Sequence, residues 1–321
     1  MANIPEYYQE HTRFSFNGHQ TFPLKYGWLE KFSLDRLHVE NELNSKTNQV
    51  LNLDYLVKEF GLGQNMAKSL SFWMRACYVL EESGANTVFT DFAKAYFGKN
   101  GIDPFLEEIG TIWIIHWYLS TASKRTSTWF WFFNFFDKKS FERQELVQDI
   151  LEQCEKDGPH KTITNETQVR KDVDCFIKSY LGVINPKLSS EDSLESPLTE
   201  LGLFRKGTGN TIQLVETERH NLPYGLFILS IYAFWEKLGA ASGTLSFENL
   251  LAQPYSPGRL FAINREGLLQ KLENINDKTN GILSFDQSSG LSQLIINDQL
   301  AFQNICKKNN HVSILSRGSI E

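Results

Sequence analysis

The sequence predicts a mainly α-helical protein with small β-hairpins, an α+β fold built from several winged-helix or helix-turn-helix-like units. Apolar residues recur with the helical period of about 3.6 in most segments that lie between turns. Several helix pairs are followed by two short apolar runs around a Gly- or Ser-containing turn, which is typical of a hairpin. A polar, acidic stretch at residues 188–196 is the clearest boundary, and we expect three domains, over residues 1–100, 101–187 and 197–310.

The first domain opens with an aromatic-rich loop over residues 14–29, which reads FSFNGHQTFPLKYGWL. Gly18 and Pro23 break regular structure on either side of a polar triplet. The triplet consists of His19, Gln20 and Thr21. One interpretation is a rigid loop that holds these groups, together with Lys25, against a ligand. The other is a buried arm whose rings fill the core while backbone groups satisfy His19, and the residue types alone leave both open.

A helix over residues 53–60, a Gly-Leu-Gly turn and a second helix from residue 64 predict a first helix-turn-helix unit, and residues 79–89 predict its hairpin. Asn65 is the predicted N-cap of the second helix. In a winged helix this helix enters the major groove, where amide side chains suit adenine and basic ones suit guanine or phosphate. The candidate DNA contacts are Gln64, Asn65, Lys68 and Arg75. A unit that contacts only proteins is the alternative.

The second domain contains two strongly apolar segments, residues 111–119 and 126–136, which we predict as buried helices. A second helix-turn-helix unit follows over residues 146–181, and its second helix has an apolar face and an opposite, charged face. The charged face is predicted to carry Arg170, Lys171 and Lys178 as further DNA contacts, mixed with Asp172 and Asp174. Carboxylates two positions apart on a helix diverge by about 200°, so these two are not predicted to share a metal ion.

The third domain is predicted to begin with a hairpin over residues 201–215, followed by a buried helix over residues 223–238. Residues 247–296 repeat the order of helix, turn, helix and hairpin, which predicts a third winged-helix-like unit. The residues from 309 onward are expected to form a frayed tail.

Composition limits the function classes. The net charge is -6 and the pI is about 5.7, which argues against a protein that coats nucleic acid non-specifically. The four cysteines form no C-x-x-C pair, and we expect reduced thiols. The polar, acidic first ten residues and the interrupted apolar runs predict a cytoplasmic protein without a membrane span. No phosphate-loop, dinucleotide, zinc or serine-hydrolase motif is present in the sequence.

Seven segments, taken in order, resemble one family of bacterial proteins. They are GHQTFPLKYGWL from residue 18, GLGQNM from 61, WIIHWYL from 113, TWFWFFN from 128, VRKDVDCFIKSY from 169, SPLTELGL from 196 and SPGRLF from 256. No single segment is specific, but the ordered set covers residues 14–296. The chain is similar to the SspB-like family, known as a domain of unknown function, whose namesake belongs to DNA phosphorothioation defence systems.

The resemblance implies a role beside a cysteine desulfurase, an ATPase and an ATP-pyrophosphatase-like sulfur-transfer enzyme, which replace a phosphate oxygen of DNA by sulfur. It also implies binding and nicking of DNA, with a divalent metal such as Mg²⁺ or Mn²⁺ for nicking and His19, Gln20 and Thr21 near the phosphate. Glu commonly stands in the family where this chain has Gln20, which puts nicking through this loop in doubt.

Two other functions stay open from the sequence. The chain could be a non-catalytic adaptor that docks the sulfur-transfer and ATPase partners, and the acidic pI favours this alternative. A winged-helix transcription regulator is a weaker alternative, because no dedicated effector pocket is visible in the sequence. The DNA motif, the metal and the oligomeric state, including a homodimer, are not determined by the sequence.

Overall fold

The computed structural model describes residues 14–30, 33, 53–83, 86–98, 100–156, 164–182, 196–240 and 242–306. Within these ranges the protein is an α+β fold with thirteen α-helices and three small antiparallel sheets of two or three strands. The predicted class, mainly α-helical with small β-hairpins, is confirmed. No helix in the described ranges is both long and apolar enough to span a membrane.

The chain divides into two compact units. The first unit comprises the described parts of His11–Trp131 and Lys138–Gln213, and the second comprises Phe132–Asp137 and the described part of Leu214–Glu321. The predicted ranges 1–100 and 101–187 therefore fall largely in one unit. The three-domain division remains a prediction, and most of its proposed boundary, residues 183–195, lies outside the described residues.

The first unit follows its opening loop with helices and two small sheets. Its α-helices are α1 (Leu53–Phe60), α2 (Gln64–Ala76), α3 (Asp91–Phe97), α4 (Ile109–Thr121), α5 (Ser127–Asn134), α6 (Arg143–Lys156) and α7 (Glu166–Leu181), of which α5 continues into the second unit. Its strands are β1 (Leu80–Ser83), β2 (Asn86–Phe89), β3 (Ser140–Glu142), β4 (Phe204–Lys206) and β5 (Thr211–Leu214).

Helix α2 and the β1–β2 hairpin occupy the positions that the sequence predicts. The hairpin is in register from the Leu80–Phe89 pair to the Ser83–Asn86 pair. The N-cap of α2 is Gly63 rather than Asn65, so the prediction for Asn65 as a cap is wrong by two positions. Gly63 has the extended backbone of an N-cap but no side chain that could accept a hydrogen bond, and the helix itself begins at Gln64, one residue before Asn65.

The predicted hairpin near residue 201 joins a three-stranded sheet in the order β3-β5-β4. Strand β4 buries Phe204 against α7, with ring centroids 5.6 Å from Phe176 and 5.3 Å from Tyr180. Phe204 also lies 6.3 Å from Phe141 of strand β3. Because of this packing, residues 197–213, which we expected to open the third domain, belong to the first unit with α6 and α7.

The second unit repeats the order of strand, helices and hairpin. Its elements are α8 (Tyr224–Lys237), β6 (Thr244–Ser246), α9 (Phe247–Ala252), α10 (Pro257–Leu260), α11 (Arg265–Glu273), α12 (Ile275–Lys278), β7 (Leu283–Asp286), β8 (Gln293–Ile296) and α13 (Gln299–Cys306). The sheet order is β6-β8-β7, so the last strand is again central. The predicted tail from residue 309 lies outside the described residues.

Large aromatic side chains dominate the core, as the segments around residues 113 and 129 predict. Trp73, Trp113 and Trp129 are fully buried in the first unit, and Trp235 is fully buried in the second. All four cysteines are buried free thiols. Helix α4 is buried nearly all round, which explains its strongly apolar sequence without a membrane.

Candidate functional site

The opening loop consists of two overlapping turns. The Gln20 amide donates to the Asn17 carbonyl at 3.2 Å, and the Phe22 amide donates to the His19 carbonyl at 3.0 Å. Asn17, Gln20 and Thr21 have φ values of 68°, 51° and 70°. Positive φ is costly for side chains with a Cβ, above all for the β-branched Thr21, so the surroundings must hold this loop in place.

A buried carboxylate from helix α7 supplies the main support. Asp172 Oδ1 lies 2.7 Å from His19 Nε2 and accepts the Asn17 amide at 2.8 Å. Asp172 Oδ2 accepts the Thr128 hydroxyl at 2.6 Å. Three donors thus converge on one carboxylate that is 2% exposed, and they join the loop, α5 and α7.

Aromatic rings enclose the His19 imidazole on several sides. It stacks on Trp73 at 6.4 Å and meets the edges of Phe72 at 5.8 Å and Trp129 at 6.1 Å. The Trp73 indole N–H donates to the Phe22 carbonyl at 3.0 Å, which fixes the far end of the second turn. A Cβ on Gly18 would lie 2.5 Å from the Phe72 ring, so only glycine fits at this position without a shift of the ring.

Both nitrogens of His19 are engaged when the ring is neutral. Nε2–H donates to Asp172, and Nδ1 accepts the Thr21 amide proton at 3.1 Å. Burial lowers the pKa of His19, but the Asp172 carboxylate, 2.7 Å from Nε2, raises the pKa above its ordinary value. Protonation therefore strengthens the bond to Asp172 at the expense of the Thr21 bond, which couples the charge of the ring to the second turn.

The predicted site residues of this loop are not all presented to solvent. His19 is fully buried and Lys25 is 4% exposed. Gln20 is half-buried, with its amide 3.4 Å from the Asn17 carbonyl, and Thr21 is exposed. The loop is therefore a buried arm filled with rings, with Thr21 exposed on its outer turn, and the binding of a ligand by this loop remains a prediction.

The surroundings of His19 do not fit a divalent metal ion. Both imidazole nitrogens and both Asp172 oxygens already make hydrogen bonds to protein groups. Within the described ranges, no three His, Cys, Asp or Glu side chains are grouped closely enough to hold a metal. No chemical step through a metal is therefore assigned to this loop.

The predicted DNA contacts on helix α2 differ in their availability. Gln64, Asn65 and Lys68 are exposed on its first two turns. Arg75, in the last turn, donates from Nε to Glu82 at 3.0 Å and from Nη1 to the Ser71 hydroxyl at 2.8 Å. The first three side chains are free to meet a partner, whereas Arg75 is already held by its own unit.

Two of the three predicted contacts on helix α7 are exposed, and the third is half-buried and ion-paired. Lys171 and Lys178 are exposed, and Arg170 is paired with Glu166 one turn earlier at 2.5 Å. Asp174 turns outward to Arg143 at 2.9 Å, on a different face from Asp172. The two carboxylates diverge as predicted, but placing Asp172 on the charged face was wrong, because it lies on the buried face.

The sequence pattern itself indicated that Asp172 is buried, although its charge suggests an exposed position. Val169, Asp172 and Phe176 recur at helical spacing along the apolar face of α7. An acidic residue on such a face must be paired or hydrogen-bonded, so the pattern points to a buried partner. Arg125, half-buried in the turn between α4 and α5, carried no such signal, and only the structure brings it near Arg75.

Comparisons with known proteins agree with this architecture. Residues 16–309 match the model of a family described as a protein of unknown function, DUF4007. An SspB crystal structure is 25% identical with a TM-score of 0.76, covering 95% of this chain and 91% of that chain. A magnesium ion-bound SspB crystal structure is 24% identical with the same TM-score and coverage. No curated protein matches the sequence. The resemblance to the SspB-like family is thereby confirmed, and the chain belongs to the DUF4007 family.

Proposed function

We propose that this chain is a DNA-binding component of a bacterial DNA phosphorothioation system, where it supports the incorporation of sulfur into the DNA backbone. Membership of the DUF4007 family and the likeness to SspB support the choice of system. The outward-facing basic side chains of the first unit support the choice of DNA as the partner. The proposed neighbours in the system are a cysteine desulfurase, an ATPase and an ATP-pyrophosphatase-like enzyme.

The single observation that carries DNA binding is the assembly of β3, α6, α7, β4 and β5. We interpret this assembly as a winged helix. It has the parts of one: a strand, two helices and a hairpin whose last strand is central in the sheet. Helix α7 exposes Lys171 and Lys178, and strand β4 exposes Arg205 and Lys206. Helix and wing together would supply several phosphate contacts, which is enough for salt-dependent binding.

Helices α1 and α2 with the β1–β2 hairpin form the second proposed contact. Gln64, Asn65 and Lys68 occupy the N-terminal turns of α2, the part of a recognition helix that reaches base edges. Amide side chains can form paired hydrogen bonds with adenine, so this helix is the proposed source of any sequence preference.

DNA binding is tested by fluorescence anisotropy with a labelled duplex over a series of salt concentrations. We expect affinity to fall steeply with salt, and Lys171→Gln to reduce the log–log salt slope by about one for all sequences alike. Arg170→Gln is the matched comparison and should have a smaller effect, because Glu166 already neutralises Arg170. Affinity that is independent of salt and of Lys171 would refute this surface.

Nicking, which the family resemblance implies, is tested with supercoiled plasmid and the pure protein in Mg²⁺, Mn²⁺ or EDTA. Mg²⁺ comes first because one similar SspB structure is magnesium-bound. A recognition subunit should bind the plasmid without converting it to open circles. Metal-dependent conversion that is lost in Thr21→Ala would instead make this chain a nickase with its site at the loop. Thr21 is the residue to change because it is exposed, whereas replacement of the buried His19 would disturb the fold.

An adaptor role is the second candidate, and the second unit favours it. The exposed residues of α11 include Glu266 and Glu273, which would repel phosphate. Leu291, in the turn between β7 and β8, is 66% exposed, and Leu300 of α13 is 67% exposed. Acidic and apolar groups of this kind suit a protein partner, and co-purification of the sulfur-transfer enzymes without DNA affinity would support the adaptor role over DNA binding.

A further inference from the structure

Two arginines from different elements of the first unit, Arg75 and Arg125, lie near enough for their charges to interact. Arg75 is in the last turn of α2, and Arg125 is in the turn between α4 and α5. The rings of Tyr78 and Tyr118 are 4.8 Å apart, which brings the end of α2 against the end of α4. One carboxylate, Glu82 of strand β1, interacts with both guanidinium groups.

The carboxylate holds only one of the two arginines by a hydrogen bond. Glu82 Oε1 accepts from Arg75 Nε at 3.0 Å, and Glu82 Oε2 accepts from the Thr87 hydroxyl at 3.2 Å. Arg125 is half-buried, and its guanidinium makes no hydrogen bond in the described part of the chain. Among the described residues, no protein acceptor is thus bonded to the five N–H donors of Arg125.

The charges of this group are incompletely balanced. Burial and the nearby Arg75 lower the pKa of Arg125, and Glu82 acts in the opposite direction. An arginine does not lose its proton in a protein, so the lowered pKa marks a positive charge held in an unfavourable environment. The exposed Lys124 beside Arg125 adds to the excess of positive charge.

The ion pair of Arg75 with Glu82 is open to competition from an anion, because the Glu82 side chain is exposed. Ser71 fixes Nη1 of Arg75 through its hydroxyl at 2.8 Å and its carbonyl at 3.3 Å, which orients the planar fork. Nε then faces Glu82, whose side chain is 55% exposed. An exposed ion pair of this kind is weak, so a doubly hydrogen-bonded phosphate can displace the carboxylate.

We propose that Arg75 and Arg125 form a binding site for a phosphate group, in which the Glu82 carboxylate takes the place of the phosphate while the site is empty. The proposal rests on the proposed function, because the phosphate that it assigns is one of the DNA backbone. It adds Arg125, which no sequence motif indicated, and it gives Arg75 a partner other than Glu82.

The first experiment compares DNA affinity of four proteins by anisotropy at low salt. Arg125→Gln should weaken binding about tenfold and lower the salt slope by about one, because a charge-assisted contact is lost. Glu82→Gln should tighten binding, since the competing carboxylate is removed. Glu81→Gln is the matched control on the same strand, where adjacent side chains point to opposite faces, and Tyr78 holds its carboxylate at 3.1 Å. It should change affinity much less than Glu82→Gln.

The second experiment measures the unfolding temperature in inorganic phosphate against chloride of equal ionic strength. Phosphate should raise the unfolding temperature of the unaltered chain, and Arg125→Gln should abolish the rise. If Arg125→Gln abolishes the phosphate-dependent rise in unfolding temperature but leaves DNA affinity unchanged, the site binds free phosphate groups and not the DNA backbone. If the unaltered chain fails to bind DNA, the proposed function falls while the phosphate arm still tests the site. Unchanged behaviour of Arg125→Gln in both arms overturns the site.

Discussion

Asp172 Oδ1 and His19 Nε2 are 2.7 Å apart although 153 residues separate them in the sequence. The bond joins a loop with three non-glycine residues of positive φ to the buried face of helix α7. Its position explains how an aromatic-rich opening segment keeps a costly backbone conformation. The same position makes His19 part of the support of the loop, so that loss of function in a His19 variant must be separated from loss of structure.

Replacement of Asp172 by Ala should lower the free energy of unfolding by roughly 3–5 kcal/mol, because three buried donors lose their acceptor. Urea denaturation followed by tryptophan fluorescence measures the change. Asp174→Ala is the control on the same helix and should cost about 1 kcal/mol or less, since it breaks an exposed pair with Arg143. Equal costs for the two variants would contradict the assigned role of Asp172.

Replacement of Gly18 by Ala should destabilise the chain by about 1–3 kcal/mol, because the new methyl group overlaps the Phe72 ring. Gly63→Ala introduces the same methyl group where nothing lies within 4 Å, and it should change stability by less than about 1 kcal/mol. Adding Phe72→Leu to Gly18→Ala should restore part of the loss. A double variant with fully additive losses would show that the ring is not the obstacle.

Replacement of Phe204 by Ala tests whether the β4–β5 hairpin is part of the unit that contains α7. Phe204 is 8% exposed against Phe176 and Tyr180, so the expected loss is about 3–5 kcal/mol. Phe105→Ala is the matched control, because Phe105 is 61% exposed in the same unit and its loss should be small. A small loss for Phe204→Ala would favour the predicted third domain, which begins at residue 197.

These tests also separate what the sequence predicts from what it cannot. Periodicity predicts α2 and α7 because each contains enough turns for an apolar face to repeat, and a continuous apolar run predicts α4 as a buried helix. Strand β3 is three residues long and has no periodicity of its own, so its pairing with β5, and with it the place of the hairpin, could not be predicted. The contact of Asp172 with His19 joins segments too far apart for a local pattern to reveal, although the place of Asp172 on an apolar face was visible.

Lys271 provides a pH-dependent prediction. It is 9% exposed with Nζ 5.8 Å from the Phe227 ring centroid, and burial lowers its pKa from 10.5 to about 8. Below pH 8 both folded and unfolded chains carry the charge, and folding bears the full cost of burying it. Between pH 8 and 10.5 the unfolded chain binds more protons, so this cost disappears as the pH rises.

The measurement is the urea midpoint of the unaltered chain and of Lys271→Met from pH 7 to 10.5. The stability of the unaltered chain relative to Lys271→Met should rise through this range. The comparison is needed because burial raises the pKa of the Cys77 thiol, which makes absolute stability fall at high pH in both proteins. Lys237→Met, at an exposed lysine, should keep the pH dependence of the unaltered chain. A constant difference between Lys271→Met and the unaltered chain would show that Lys271 is charged at no cost.

The distance in sequence between His19 and Asp172 also affects how the protein is made. At roughly 5–20 residues per second, a ribosome needs about 8–30 s to add the 153 residues that separate the loop from its carboxylate. During this interval the aromatic rings of residues 14–29 have been synthesised without the partner that orders them. The opening segment is therefore an exposed, aggregation-prone apolar segment of the nascent chain. A chaperone that binds it during synthesis should raise the yield of folded protein more than one that acts after release.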